Sequence, residues 1–323
     1  MKTVLMKCLR AGYRKMMLKD FSSPWEYPDV KDRIEANNVI LEKLKDDKPL
    51  FVGRVGTTEG NLVNNYITVH DDKSILVKLW NYINDNTRLP WWDTGLPFKQ
   101  IQECSGFFAP NVNISQIEKF CEIYLEGIRN MDICGRFMYN EKFFPFNENC
   151  IMFQLETLYP FFVSTPWTAA LKGKKVVVVH PFRDSILTQY EKRKYLFKNH
   201  DVLPDFDLQV IKAVQTLCGE PSQFRDWFEA LDSMKEALDK TKFDVAILGC
   251  GAYGLPLASF VKNMGKKAIH MGGGTQLMFG IKGKRWELYE DSSYRDQFND
   301  YWIYPKESER PKNAQKVEGA CYW

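Results

Sequence analysis

One stretch limits the possible folds more than any other: residues 243–283, FDVAILGCGAYGLPLASFVKNMGKKAIHMGGGTQLMFGIKG. It begins with a short apolar run, 245–248. Gly249, Gly251 and Gly254 follow at G-x-G-x-x-G spacing, with Tyr253 between the last two. An apolar segment of helical character, 255–264, is closed by Gly265 as a C-cap. A second short run, 267–271, ends in Gly272, Gly273 and Gly274. The order predicts strand, tight turn, helix, strand and glycine loop. That is half of a nucleotide-binding α/β unit. Both loops fall at carboxyl ends of strands, where open parallel sheets bind ligands.

The rest of the chain supports the same class. Residues 175–180, KVVVVH, are a β-branched run bounded by Gly173 and Pro181, the mark of a strand buried on both faces. A strand is also expected at 50–55, then a turn through Gly56, Thr57 and Thr58. A helix opens near Glu59, with Thr57 or Thr58 as its N-cap. Apolar spacing predicts helices over 30–44, 75–83, 114–131, 185–197 and 224–238, and a strand over 208–214. Residues 22–28, SSPWEYP, read as a turn, and 89–98 as an aromatic loop carrying Trp91 and Trp92. That loop is open to two readings, buried packing or stacking on a sugar or base. The tail, 285–323, is polar and aromatic. The fold expected is a Rossmann-like α/β architecture: a mostly parallel sheet flanked by helices, with a helical, aromatic-rich N-terminal and middle portion. Three sections are anticipated: an arm at 1–48, a first α/β half at 49–170, and a nucleotide-binding half at 171–323.

Composition excludes several classes. Of 323 residues, 45% are hydrophobic, enough for a large core. No apolar run approaches the roughly 20 residues that span a bilayer. The start, MKTVLMKCLRAGYRKMMLKD, is not expected to be a secretory signal, because Lys7, Arg10, Arg14 and Lys15 interrupt it. It reads either as a packing helix or as a basic amphipathic helix in peripheral contact with a membrane. The net charge of +3 comes from interspersed acids and bases, which argues against a nucleic-acid partner. The eight cysteines form no C-x-x-C pair and are expected as reduced thiols in the cytoplasm. Four histidines without an H-E-x-x-H argue against a histidine-rich metal site.

Four stretches can carry chemistry. Glycines at 249, 251 and 254 let a ligand phosphate approach the backbone at a helix start; the same glycines also suit tight strand–helix packing. A nicotinamide site would place an acid at the end of the next strand. His270 stands there instead, which favours a sugar nucleotide or another phosphorylated ligand. Gly272 to Gly274 with Thr275 and Gln276 can hold a diphosphate or sugar, with Lys282, Lys284 and Arg285 near enough to neutralise it. Arg54 can hold phosphate, while Glu59 can bind a metal, act as a base or simply stabilise its helix start. His180 ends a strand at the same edge and is a catalytic candidate. Arg183, Ser185, Gln189 and Arg193 follow it, with Arg183, Ser185 and Arg193 suited to phosphate or an acidic acceptor.

Taken together, RVGTTE from Arg54 to Glu59 and DVAILGCGAYGLPLASFVKNMGKKAIHMGG from Asp244 onward resemble the GT-D-type glycosyltransferases. That family carries an early Arg-x-Gly-Asp-Gly-Glu element. Late in its chain come a strand, a glycine turn, a helix and a strand ending in a glycine loop. Arg54, Gly56 and Glu59 match the early element. Thr57 stands where the family has aspartate, and Thr58 where it has the next glycine. The resemblance implies a Rossmann-like sheet that binds a nucleotide-diphosphate sugar. It implies transfer to a glycan or glycoconjugate acceptor in bacterial surface-polysaccharide synthesis, with a divalent ion, Mn²⁺ or Mg²⁺, bound through Glu59 if at all. A nicotinamide- or S-adenosylmethionine-dependent enzyme, or a non-catalytic nucleotide- or glycan-binding protein, remains the alternative.

Overall fold

The computed structural model describes residues 2–17, 32–289, 292–316 and 319–323. The turn expected at 22–28 lies outside the described residues. In chain order the elements begin with α1 (Lys2–Met16), α2 (Arg33–Lys45), β1 (Leu50–Gly53), α3 (Thr57–His70), α4 (Ile75–Ile83), α5 (Leu96–Glu103) and α6 (Ile114–Asn130). Then come β2 (Ile133–Arg136), β3 (Ile151–Gln154), β4 (Lys175–His180), α7 (Arg183–Glu191), α8 (Arg193–Leu196), β5 (Asp207–Lys212) and α9 (Trp227–Asp239). The chain closes with β6 (Val245–Leu248), α10 (Gly254–Asn263), β7 (Lys267–His270), α11 (Gly274–Met278), α12 (Lys284–Glu287) and a tail of turns and short 3₁₀ segments.

All seven strands join one sheet in the order β3-β2-β1-β7-β6-β4-β5, and every pairing is parallel. The period-two alternation of the strands decides which helices they meet. Leu50, Val52, Val176, Val178, Val245, Ile247 and Ile269 face a core shared with α2, α7, α8, α11 and the tail. Phe51, Val177, Val179, Ala246, Leu248 and Ala268 face the other core, under α3, α6, α9 and α10. The result is a helix–sheet–helix sandwich, the Rossmann-like class expected from the sequence. β1, from the first half, pairs directly with β7, from the second, through Val52 opposite Ile269. This pairing brings the two motif regions side by side.

Several local expectations are corrected. β2 and β3 were expected as part of the aromatic middle, yet they extend the sheet beyond β1. Residues 96–98, expected within the aromatic loop, instead open the helix 96–103, with Pro97 in the first turn, where its missing N–H costs nothing. The helix expected at 185–197 starts at Arg183 and breaks at Lys192. Neither Thr57 nor Thr58 caps α3: the N-cap is Gly56, with no side-chain cap bond. Gly265 has φ +78 and ends α10 as expected.

Candidate active site

The carboxyl ends of β1, β7, β6 and β4 open into a cavity of about 510 Å³. That volume lies within the usual range for small-molecule sites. The floor is Arg54 from β1, His270 to Gly274 after β7, Gly249 and Gly251 after β6, and His180 to Phe182 after β4. One wall comes from the ends of β2 and β3: Arg136, Phe137, Gln154, Glu156 and Tyr159. The opposite wall is the tail, with Trp286, Tyr289, Tyr294, Tyr322 and Trp323.

Arg54 lies across Gly272: a Cβ on that glycine would stand 2.7 Å from the Arg54 Nη1. Its guanidinium sits 4.5 Å over the Phe137 ring and donates to the Val55 carbonyl at 3.1 Å. Its Nε is buried without a hydrogen-bond partner, and it makes no ion pair among the described residues. A half-buried cation without a counterion lowers its free energy by taking an anion. Arg136 approaches the fully buried Glu141 at 3.7 Å. Arg285 donates to the Tyr322 hydroxyl at 3.0 Å and lies over that ring.

Glu59 is 7% exposed and lines the cavity. Its carboxylate folds back over Gly56 and fills the space where a Cβ would be. It occupies the third position of α3, where an acid also favours the helix start. Both histidines are buried, and their hydrogen bonds fix opposite tautomers. His180 Nδ1 accepts from the Phe182 N–H at 3.0 Å, so its Nε2 carries the proton. His270 Nδ1 donates to the Leu248 carbonyl at 3.1 Å, which leaves its Nε2 with the lone pair. Burial lowers the His180 pKa to about 3. Burial and then the charge of Arg54 lower that of His270 to about 4. Both rings are therefore neutral near pH 7, and His180 acts toward the cavity as a donor rather than a base.

The remaining expected residues divide clearly. Thr57, Thr58 and Gln276 join the floor residues in lining the cavity. The Gln276 amide is spent on the Ile281, Lys282 and Tyr322 carbonyls, which tie the tail to the glycine loop. Gly254 does not meet the cavity, because the His270 imidazole fills the place of its Cβ. Its role is strand–helix packing. Tyr253 stacks on Trp227 at 5.2 Å and Thr275 bonds Leu248, both away from the opening. Ser185 gives its hydroxyl to Glu309, Arg183 bonds the Val210 carbonyl, and Lys284 is exposed outside the lining. Gln189 and Arg193 are held by carbonyls and by Asp205, not by the cavity. Of the G-x-G-x-x-G glycines, only Gly251 combines a positive φ, +55, with room for a Cβ, whose nearest neighbour would be the Ser105 carbonyl at 3.7 Å.

Arg136 and Glu156 are absent from the sequence reading, and the tail aromatics are read there without a place in the site. Arg136 closes a strand of four residues and Glu156 lies two residues past another, both too short for the sequence to mark their ends. A protein-held divalent ion does not fit this donor set. Among the described residues no three His, Cys, Asp or Glu side chains come together to bind one. Compared with known proteins, the chain matches no family model, and no curated protein or solved structure is similar to it.

Proposed function

We propose that this chain is a glycosyltransferase that moves a sugar from a nucleotide-diphosphate sugar to a glycan or glycolipid acceptor in bacterial surface-polysaccharide synthesis. The observation that carries this reading is Arg54, an arginine with no counterion among the described residues, laid across Gly272 at the switch of a parallel sheet. The cavity around it pairs an anion-binding floor with an aromatic wall, the two halves of a nucleotide. The diphosphate meets Arg54, Arg136 and Arg285, and the base stacks on the tail aromatics.

The chemistry follows from the same residues. The acceptor hydroxyl oxygen attacks the anomeric carbon as the bond to the diphosphate oxygen breaks. Glu59 takes the hydroxyl proton. The arginines and the His180 Nε2–H stabilise the negative charge that grows on the leaving diphosphate. No step needs a metal ion, and the arginines take the charge that the ion would carry.

A competing reading is a nicotinamide- or S-adenosylmethionine-dependent enzyme. His270 packed into Gly254 counts against it, since the cofactor's ribose would meet a buried ring rather than an acid. A thermal-shift screen of UDP-, GDP- and CMP-sugars, with and without Mn²⁺, tests the proposal. At least one sugar nucleotide should stabilise the protein without added metal. Stabilisation by none of them, or by NADH alone, sinks it.

A further inference from the structure

α1 and α4 carry apolar side chains on their outer as well as their docked sides. A surface helix turns its apolar stripe to the core and its charges to water. In α1 the docked side joins Met6, in a small apolar cluster with Tyr82 and Leu89, to polar anchors. Thr3 accepts from the Trp91 indole N–H at 3.0 Å, and Arg10 and Arg14 both pair with the buried Asp85. The opposite side carries Leu5, Cys8, Leu9, Gly12 and Met16, spaced i, i+3, i+4, i+7 and i+11, and all are exposed. α4 packs beside α1 and gives Tyr82, Leu79 and Ile83 to the same cluster. Its Lys78 is buried and gives its ammonium to the Val69 carbonyl, while Ile75, Leu76, Val77 and Trp80 face outward. Leu5, Leu9, Met16, Leu76 and Trp80 are each between 49% and 75% exposed. The Trp80 ring meets Tyr13 of α1 at 6.0 Å, so the two helices form one surface.

Leaving aliphatic side chains in water costs stability unless something covers them. The charge pattern says what does. Neither helix contains an acid, and exposed Lys2 and Lys15 border the α1 stripe on its two sides. Aliphatic side chains, one interfacial tryptophan and flanking lysines are the composition of a helix lying in a bilayer interface. We propose that the paired α1 and α4 helices dock this protein on an anionic lipid surface. Leu5, Leu9, Met16, Leu76 and Trp80 enter the acyl boundary, and Lys2 and Lys15 meet the headgroups. Docking stands independently of the sugar-transfer reading, since none of these residues lines the cavity.

The test is co-sedimentation of the full chain with vesicles of phosphatidylcholine alone, or with about one third phosphatidylglycerol. The wild type should bind the anionic vesicles at least about tenfold more tightly, and rising salt should erase the difference. Leu9→Gln with Leu76→Gln should lower binding to anionic vesicles about tenfold while leaving the melting temperature in place, because both side chains are solvent-facing. Lys2→Gln with Lys15→Gln should remove only the preference for anionic lipid. The proposal is overturned by absence of binding to either vesicle, or by binding indifferent to Leu9 and Leu76. A concentration-dependent dimer that the Leu9 and Leu76 changes dissolve would assign the face to a second copy of the chain and overturn it equally.

Discussion

At the scale of single residues, the cavity depends on close approaches that leave no room for a methyl group. Gly272 has φ +57, and its missing Cβ makes space for Arg54. Gly272→Ala adds left-handed strain of about 1–2 kcal/mol and pushes the guanidinium from its seat. The donor KM should rise more than tenfold while the protein stays folded, as titration calorimetry and a melting curve would report. Arg54→Lys keeps the charge but loses the planar fork, so donor binding should weaken about tenfold even with the cation retained. If instead Arg54→Lys binds donor as the wild type does, the arginine is not the diphosphate ligand. Glu59→Gln separates two roles for one carboxylate. As base, its loss should lower kcat by a factor of about 10² to 10⁴ with donor affinity intact. As a helix-start acid alone, it should move only the melting temperature. The glycine loops were legible at this scale, but what fills them was not. Nothing in the spacing says that His270 occupies the hollow of Gly254 or that Arg54 occupies that of Gly272, because side-chain packing across strands is long-range.

At the scale of elements, segments with a period or a glycine loop of their own were readable, and those without were not. β4, α6, α9, β6, α10 and β7 follow from their own residues, because burial on two faces or one writes a period into the sequence. β2 (ICGR) and β3 (IMFQ) hold four residues each, as β6 and β7 do, but no glycine loop marks their ends; β2 is a strand because β1 offers it an edge, and β3 because β2 does. The tail is the same case: its aromatics order only against an assembled sheet. One tail residue also builds a helix from a distance. Glu309, 4% exposed, accepts from the Asp184 N–H at 2.6 Å, from the Ser185 N–H and from the Ser185 hydroxyl. It is the anion at the start of α7, a role that no local cap fills. Glu309→Ala should strip those partners and cost about 2–4 kcal/mol, the sum of the unpaired donors and the lost charge at the helix end. Hydrogen exchange at the Ser185 amide should accelerate with it. A melting temperature equal to the wild type would show that water or a neighbouring side chain satisfies the helix start instead.

At the scale of the whole molecule, the site is linked to stability through three buried titratable groups of opposing sign. His180 and His270 have folded pKa values lowered to about 3 and about 4, against roughly 6.5 in an unfolded chain. Below pH 6.5 the unfolded state takes up protons that the folded state refuses. Their contribution is therefore complete above that pH and is lost as pH falls toward 4. Glu141 runs the other way. Burial raises its pKa to about 7, against the hydrogen bonds it accepts from the Met138 and Phe137 N–H groups. The folded state holds its proton between about pH 4.5 and 7, so stability from this group falls as pH rises through that window. Each pH unit inside a window is worth about 1.4 kcal/mol per group. From pH 6.5 to 4.5 two histidines lose what one glutamate partly restores, a net loss of roughly 3 kcal/mol. The wild-type melting temperature should thus fall over that interval, while Glu141→Gln, lacking the opposing group, should fall about twice as far in free energy. Near pH 8 the order should favour the variant, because the wild type then carries a buried, ionised Glu141. Parallel melting curves of the two proteins from pH 4.5 to 8 measure all of this. Curves that stay parallel throughout would mean that Glu141 ionises normally beside Arg136, and that the charge beneath the cavity wall is fixed rather than titrating.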